Sequence, residues 1–116
     1  QGFTRERNVQ TAKAAALDAQ HRARGEELRI KTEVATAYLN LTTAHRSVAL
    51  ETRNRDLASE QLELARERYR LGAASFLELQ DAVTIKARAD RAYLIAVYQF
   101  HESMAALETA VGRDLR

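Results

Sequence analysis

From about Arg5 to Leu71 the chain contains nothing that would break a helix, and its apolar or small residues recur at alternating steps of three and four: Val34, Ala37, Leu41, Ala44 and Val48. A second stripe, Leu50, Leu57, Leu64 and Leu71, keeps a strict seven-residue spacing and is flanked by Ala58, Leu62, Ala65 and Tyr69. A heptad repeat of this kind predicts a helix that supercoils against a partner. Beyond Leu71 the rhythm resumes with Leu79, Ala82, Ala89, Tyr93, Ala96, Phe100 and Leu107, with Lys86 and Ser103 as polar interruptions. Beside it runs another column, Val83, Val97, Met104 and Val111, which Asp90 breaks. Two adjacent columns on one helix predict more than one neighbour. The expected architecture is all-α: one domain spanning 1–116, with helices over about 5–71 and 75–112 and a turn at 72–74.

Several independent rules place the turn at the same residues. Arg66, Arg68 and Arg70 load the end of the first helix with positive charge, which the carbonyl end of the helix dipole favours. Gly72 stands where a helix C-terminus calls for a left-handed residue. Ser75 is placed to cap the second helix, and Glu78, three residues on, to reach back to the serine amide and complete a capping box. So short a turn forces the helices to be antiparallel neighbours. Facing residues then have numbers summing to about 147, which pairs Leu64 with Val83, Leu57 with Asp90 or its neighbours and Leu50 with Val97.

The arms are unequal. At about 1.5 Å per residue the first helix is near 100 Å long and the second near 60 Å. Residues before about Arg29 overhang, and their alanines, Ala12, Ala15, Ala16, Ala19 and Ala23, suit a close helix neighbour that this chain does not contain. Gly25 lies inside that stretch, where two readings stand: a bend, or a glycine within a continuous helix that costs about 1 kcal/mol.

Composition supports the pattern and removes function classes. The 116 residues include no proline and four glycines, and 29% of them are charged. Sixteen acids are interspersed with 18 basic residues for a net charge of +2, so no one-sided basic field is offered to nucleic acid or to a lipid surface. The absence of cysteine removes disulfides, thiolate catalysis and cysteine zinc sites. No apolar run approaches the roughly 20 residues of a membrane-spanning helix, and the opening Gln1-Gly2-Phe3 reads as an internal stretch of a longer protein. His45 and His101 nearly face each other under the pairing rule, but no third ligand stands at a suitable spacing, so no metal is expected. Asp56 with Asp90, and Glu63 with Asp90, are read as rim charges of a coiled coil rather than as acid–base pairs. No nucleophile, base and orienting group recur together, and neither catalysis nor a cofactor is expected.

The stretch from Ala65 through Arg68-Tyr69-Arg70-Leu71-Gly72-Ala73-Ala74-Ser75-Phe76-Leu77-Glu78 to Ala82 resembles the helix-turn-helix of outer-membrane efflux proteins of the TolC type. That pattern runs aromatic, basic or polar, apolar, glycine, two variable residues, serine or threonine, then an apolar-acidic segment. Ala92-Tyr93 and the closing Leu107-Glu108-Thr109-Ala110-Val111-Gly112 are similar to the family's second helix and its end. Gln1-Gly2-Phe3 with Val9 and Ala12 resembles the exit from a membrane strand into a long helix.

The resemblance implies a fragment of a TolC-like α-barrel, the helical part of one repeat and by its details the second. The full-length protein would be a homotrimer in the outer membrane of a Gram-negative bacterium, touching the membrane only through β-strands outside this stretch. It would continue as a periplasmic tunnel serving multidrug efflux or type I secretion. The hairpin tip, Leu71, Gly72, Ala73, Ala74, Ser75 and Phe76, would dock a periplasmic adaptor (membrane fusion) protein and through it an inner-membrane pump.

Tyr69, Glu78 and Asp81 match the positions of the gate, although each also has a structural reading. Glu78 completes the capping box, Asp81 suits the helix dipole, and Tyr69 covers the base of the hairpin. Where the best-known member has an arginine two residues after the glycine, this chain has Ala74, which removes that gate link. Apolar Ala73, Ala74, Phe76 and Leu77 at an exposed tip favour docking. The alternative is a generic coiled-coil interaction module or an adaptor hairpin, which strands before Gln1 and a second repeat in the parent gene would exclude.

Overall fold

A computed structural model describes residues 2–115. Gln1, which opens the expected strand-to-helix exit, and Arg116 lie outside the described residues. Two helices make up the fold, α1 over Gly2–Arg70 and α2 over Phe76–Asp114. They form an antiparallel hairpin measuring 104 × 23 × 13 Å. Its long dimension is that of a single 69-residue helix at about 1.5 Å per residue. α1 begins three residues earlier than expected and α2 runs past Gly112 to Asp114, the ordinary scatter of helix ends. α1 continues unbroken through Gly25.

The seam between the helices follows one alternating three–four line from end to end. On α1 it runs through Val34, Ala37, Leu41, Ala44, Val48, Glu51, Arg55, Ala58, Leu62 and Ala65, all buried or half-buried. On α2 it runs through Leu79, Ala82, Lys86, Ala89, Tyr93, Ala96, Phe100, Ser103, Leu107 and Ala110. Ala37, Ala44, Ala58, Ala96 and Ala110 are the buried small residues, and Leu62 the one buried large one, among the described residues. Alanines in the seam let the two backbones approach.

The leucine stripe is not part of this seam. Leu50, Leu57, Leu64 and Leu71 are 58%, 54%, 61% and 66% exposed, so the expected pairs Leu64/Val83, Leu57/Asp90 and Leu50/Val97 do not form within the hairpin. The reason is angular. A seven-residue repeat holds its side of a supercoiled helix but does not say which side that is. Passing from Val48 to Leu50 turns the chain about 200° around α1, whereas passing from Val48 to Glu51 and Arg55 keeps the line of the seam. Of the three charged residues of the seam, Glu51, Arg55 and Lys86, the last two have a partner there. The Arg55 guanidinium lies 4.0 Å from the centre of the Tyr93 ring, and half-buried Lys86 donates to Asp90 one turn further along α2.

The expected register does hold. Arg55 sits opposite Tyr93, Ala37 and Ala110 line one shallow crevice, and Arg113 pairs with Glu33 at 3.0 Å. Each of these pairs is within one residue of the numbering sum of the short turn. The last of them marks where α2 ends, and every described residue from Gly2 to Arg29 is exposed. The alanine-rich overhang is therefore a continuous helix without a neighbour in this chain. No helix is long and apolar enough to cross a membrane among the described residues.

Candidate docking tip

The reversal is built from backbone hydrogen bonds that need one left-handed residue, a conformation glycine adopts without strain. At the end of α1 the Gly72 N–H donates to the Tyr69 carbonyl at 3.0 Å and the Ala73 N–H to the Arg68 carbonyl at 2.7 Å. These are the two bonds of a Schellman cap, which needs a left-handed residue at its centre. Gly72 supplies it with a φ of 75°, the one positive φ among the described residues. The Ala74 N–H also reaches the Arg68 carbonyl, at 3.2 Å. Arg68 contributes twice, since its guanidinium donates to the Ala73 carbonyl at 3.1 Å. Its positive charge thus sits among the free carbonyls, where the helix dipole favours it.

α2 starts as abruptly. Ser75 is extended, with φ −77° and ψ 162°, and its hydroxyl accepts from the Glu78 N–H at 3.1 Å. The Ser75 carbonyl accepts the first helical bond, from the Leu79 N–H at 3.2 Å. The expected capping box is only half built, because no bond runs from the Ser75 amide to the Glu78 carboxylate among the described residues. The serine side of the box is sufficient to start the helix, and the Glu78 side chain is left free.

Charge around the tip is divided between paired and unpaired groups. Arg66 bonds Glu63 at 2.8 Å, and Arg70 bonds Glu67 through its Nε at 3.0 Å. The Arg70 hydrogen bonds hold the Glu67 carboxyl below the ordinary carboxylate range and raise the Arg70 guanidinium in turn. Arg66 and Arg70 are thereby neutralised by their own helix. Glu78 and Asp81, three residues apart on one face of α2, are exposed and have no basic partner among the described residues.

The end of the hairpin carries an exposed apolar cluster. Leu71, Phe76 and Leu77 are 66%, 59% and 71% exposed. Ala73 and Ser75 are exposed, and Ala74 is half-buried. The Tyr69 ring meets the Phe76 ring across the turn, 6.2 Å between centroids at a tilt of 60°. The structure thus joins a residue assigned to the gate with one assigned to docking, a contact whose sequence signal is an aromatic at nearly equal distance on either side of Gly72. The Arg55–Tyr93 stacking and the second role of Arg68 leave no comparable trace in the sequence.

The other candidate groups lie away from the tip. His45 and His101 flank the Phe100 ring, at centroid distances of 6.1 and 5.6 Å. Asp56 is beside Arg55, Glu63 pairs with Arg66 and Asp90 with Lys86, so each acid of the supposed acid–base pairs has its own basic neighbour.

In comparison with known proteins, the model of the family described as outer membrane efflux protein matches residues 1–113. Neither the curated proteins nor the solved structures give a match.

Proposed function

Because this chain belongs to the outer membrane efflux protein family, we propose that its hairpin is a periplasmic wall segment of the duct whose tip forms the entrance and docks a periplasmic adaptor protein. Members of the family are channel proteins of the Gram-negative outer membrane and not enzymes, so the chain is a component of an efflux or secretion channel. Family proteins work with adaptors and inner-membrane partners. In this role the tip is the docking surface, the full-length protein is a homotrimer, and a pump is reached through the adaptor in multidrug efflux or type I secretion.

The observation that carries the docking reading is the exposure of Leu71, Phe76 and Leu77 on a turn whose backbone is held at both ends. Beyond the Tyr69–Phe76 ring contact, an apolar cluster left this exposed at the extremity of a charged hairpin adds little to the hairpin itself, and a rigid presentation lowers the ordering cost of binding. The Gly72 and Ser75 caps set the position of that cluster, and Ala73 keeps its crest free of bulk. Glu78 and Asp81 lie just behind the crest as unpaired acids, which suits a negatively charged constriction when several hairpins converge. Tyr69, packed on Phe76, would couple the apolar crest to that constriction.

The test is cross-linking between the tip and the adaptor in the full-length protein. Ala73→Arg places a long charged side chain on the crest and is expected to abolish tip cross-links while leaving the protein in the outer membrane. Unchanged cross-linking would move the docking site elsewhere.

A further inference from the structure

Three arginines close α1, and the acids that precede them sort them into two kinds. Arg66 and Arg70 each have a glutamate three residues earlier, Glu63 and Glu67, and each is bonded to it. Arg68 has Ala65 three residues earlier and Leu64 four earlier, with Leu71 and Gly72 at the same distances ahead, so its own helix offers it no carboxylate. It is exposed and makes no ion pair among the described residues.

Its guanidinium turns forward onto the crest instead. One terminal N–H donates to the Ala73 carbonyl at 3.1 Å, while the Ala73 N–H donates to the Arg68 carbonyl at 2.7 Å. A single residue therefore holds both backbone polar groups of Ala73. The Ala74 N–H shares the Arg68 carbonyl at 3.2 Å. Ser75 then begins the hold on α2 through its bond to the Glu78 N–H. Among the described residues no other side chain bonds the backbone between Gly72 and Ala74.

That stretch is where the turn most needs holding. Gly72 has the widest backbone freedom of any residue type, so rotation about it would swing everything beyond it. The two bonds to Ala73 close a ring across the glycine from either side of the following residue and remove that freedom.

We infer that Arg68 is a positioning residue of the docking tip: by closing both backbone groups of Ala73 it fixes the crest on which Leu71, Phe76 and Leu77 stand exposed. The inference rests on the reading of the tip as a docking surface. It adds that docking depends on a charged side chain outside the apolar cluster.

Three variants separate this role from a general charge at the helix end. Arg68→Met keeps the stem and removes charge and donors together. Arg68→Lys restores a charged donor on a stem of similar reach. Arg70→Met removes the same charge from the same helix end and leaves the turn bonds in place.

The first readout is amide hydrogen exchange in the chain. With Arg68→Met the Ala73 and Ala74 amides are expected to exchange about tenfold faster, the effect of losing one charge-assisted hydrogen bond. An unchanged rate at Ala58, buried in the seam, shows that the hairpin is still folded. Arg68→Lys is expected to recover most of the protection, and Arg70→Met to leave it unchanged. Equal losses in the two methionine variants would make Arg68 a helix-end charge and overturn the inference.

The second readout is tip cross-linking to the adaptor in the full-length protein. Arg68→Met is expected to lower the yield about fivefold, because an unfixed crest must be ordered on binding. Arg68→Lys is expected to restore the yield and Arg70→Met to leave it unaltered. If Ala73→Arg abolishes cross-linking and Arg68→Met does not lower it, the positioning role is overturned while the docking reading stands. If Ala73→Arg leaves cross-linking unchanged, the docking reading fails and the positioning role fails with it, whatever the exchange rates show.

Discussion

The Arg55 guanidinium lies over the Tyr93 ring, 4.0 Å from its centre, at a seam position where a coiled coil ordinarily carries an apolar residue. A cation over an aromatic face keeps its charge while the arginine stem covers apolar surface. The pair joins α1 to α2 near mid-seam and ties their register together. Removing either partner is expected to cost more than removing a surface charge. A double-mutant cycle with Arg55→Ala and Tyr93→Ala, read by denaturant unfolding of the chain, is expected to give a coupling of about 0.5–2 kcal/mol. A coupling near zero would reduce the contact to chance proximity.

Neighbouring leucines separate the seam from the outer stripe. Leu62 is 7% exposed and Leu64 is 61% exposed. Leu62→Ala is expected to destabilise the hairpin by about 2–3 kcal/mol, toward the lower end for a buried leucine because the two-helix core is thin. Leu64→Ala is expected to stay within about 0.5 kcal/mol under conditions where the chain is monomeric. Equal losses at the two positions would contradict the observed seam.

The turn depends on one backbone conformation and one hydroxyl. Gly72→Ala forces an L-residue into the left-handed region and is expected to cost about 1–2 kcal/mol, although no neighbouring atom would touch the added carbon. Ser75→Ala removes the N-cap and is expected to cost about 1 kcal/mol. Because the box is half built, Glu78→Ala is expected to cost clearly less than Ser75→Ala in thermal unfolding, only the roughly 0.3–1 kcal/mol of a carboxylate in a first helical turn. A loss at Glu78 as large as that at Ser75 would mean that the full box forms in solution.

Strong acid is expected to weaken the end of α1. Glu67 has its carboxyl held below the ordinary carboxylate range by Arg70, so its contribution to folding is present at neutral pH. It is lost as the pH falls through the lowered value. Glu67→Gln is therefore expected to flatten that part of the stability curve below the ordinary carboxylate range and to leave the curve above it unchanged in shape. Both groups are fully exposed, so the effect is small and fades with added salt. An unchanged acid limb in the variant would show that other carboxylates control it.

The two unpaired acids provide the test of the gate. In the full-length channel, Glu78→Ala combined with Asp81→Ala is expected to raise single-channel conductance or weaken cation preference. No change in either property would leave the two acids as helix-end charges only.

Much of the hairpin was legible in the residues. The seam of α2 could be read directly from Leu79 to Leu107, and the start of the α1 seam from Val34 to Val48, because both keep the three–four alternation with apolar or small side chains. Gly72 and Ser75 marked the reversal through backbone rules that act within a few residues, and a short turn then set the register. The unpartnered overhang followed from the unequal lengths of the arms.

The rest was decided by tertiary structure. Beyond Val48 the α1 seam passes through Glu51 and Arg55, while the most hydrophobic repeat in the helix, Leu50 to Leu71, faces outward. A reading by hydrophobicity selects the leucines, because nothing local reveals that Tyr93 stands across the seam to receive the arginine. The same limit applies at the tip, where Arg68 reaches the Ala73 carbonyl and Tyr69 meets Phe76 only after the chain has turned back. Local rules determined where the chain bends and where its helices run, since they depend on neighbours in sequence. Which face of α1 meets α2 depended on the side chains that the bend brings opposite one another.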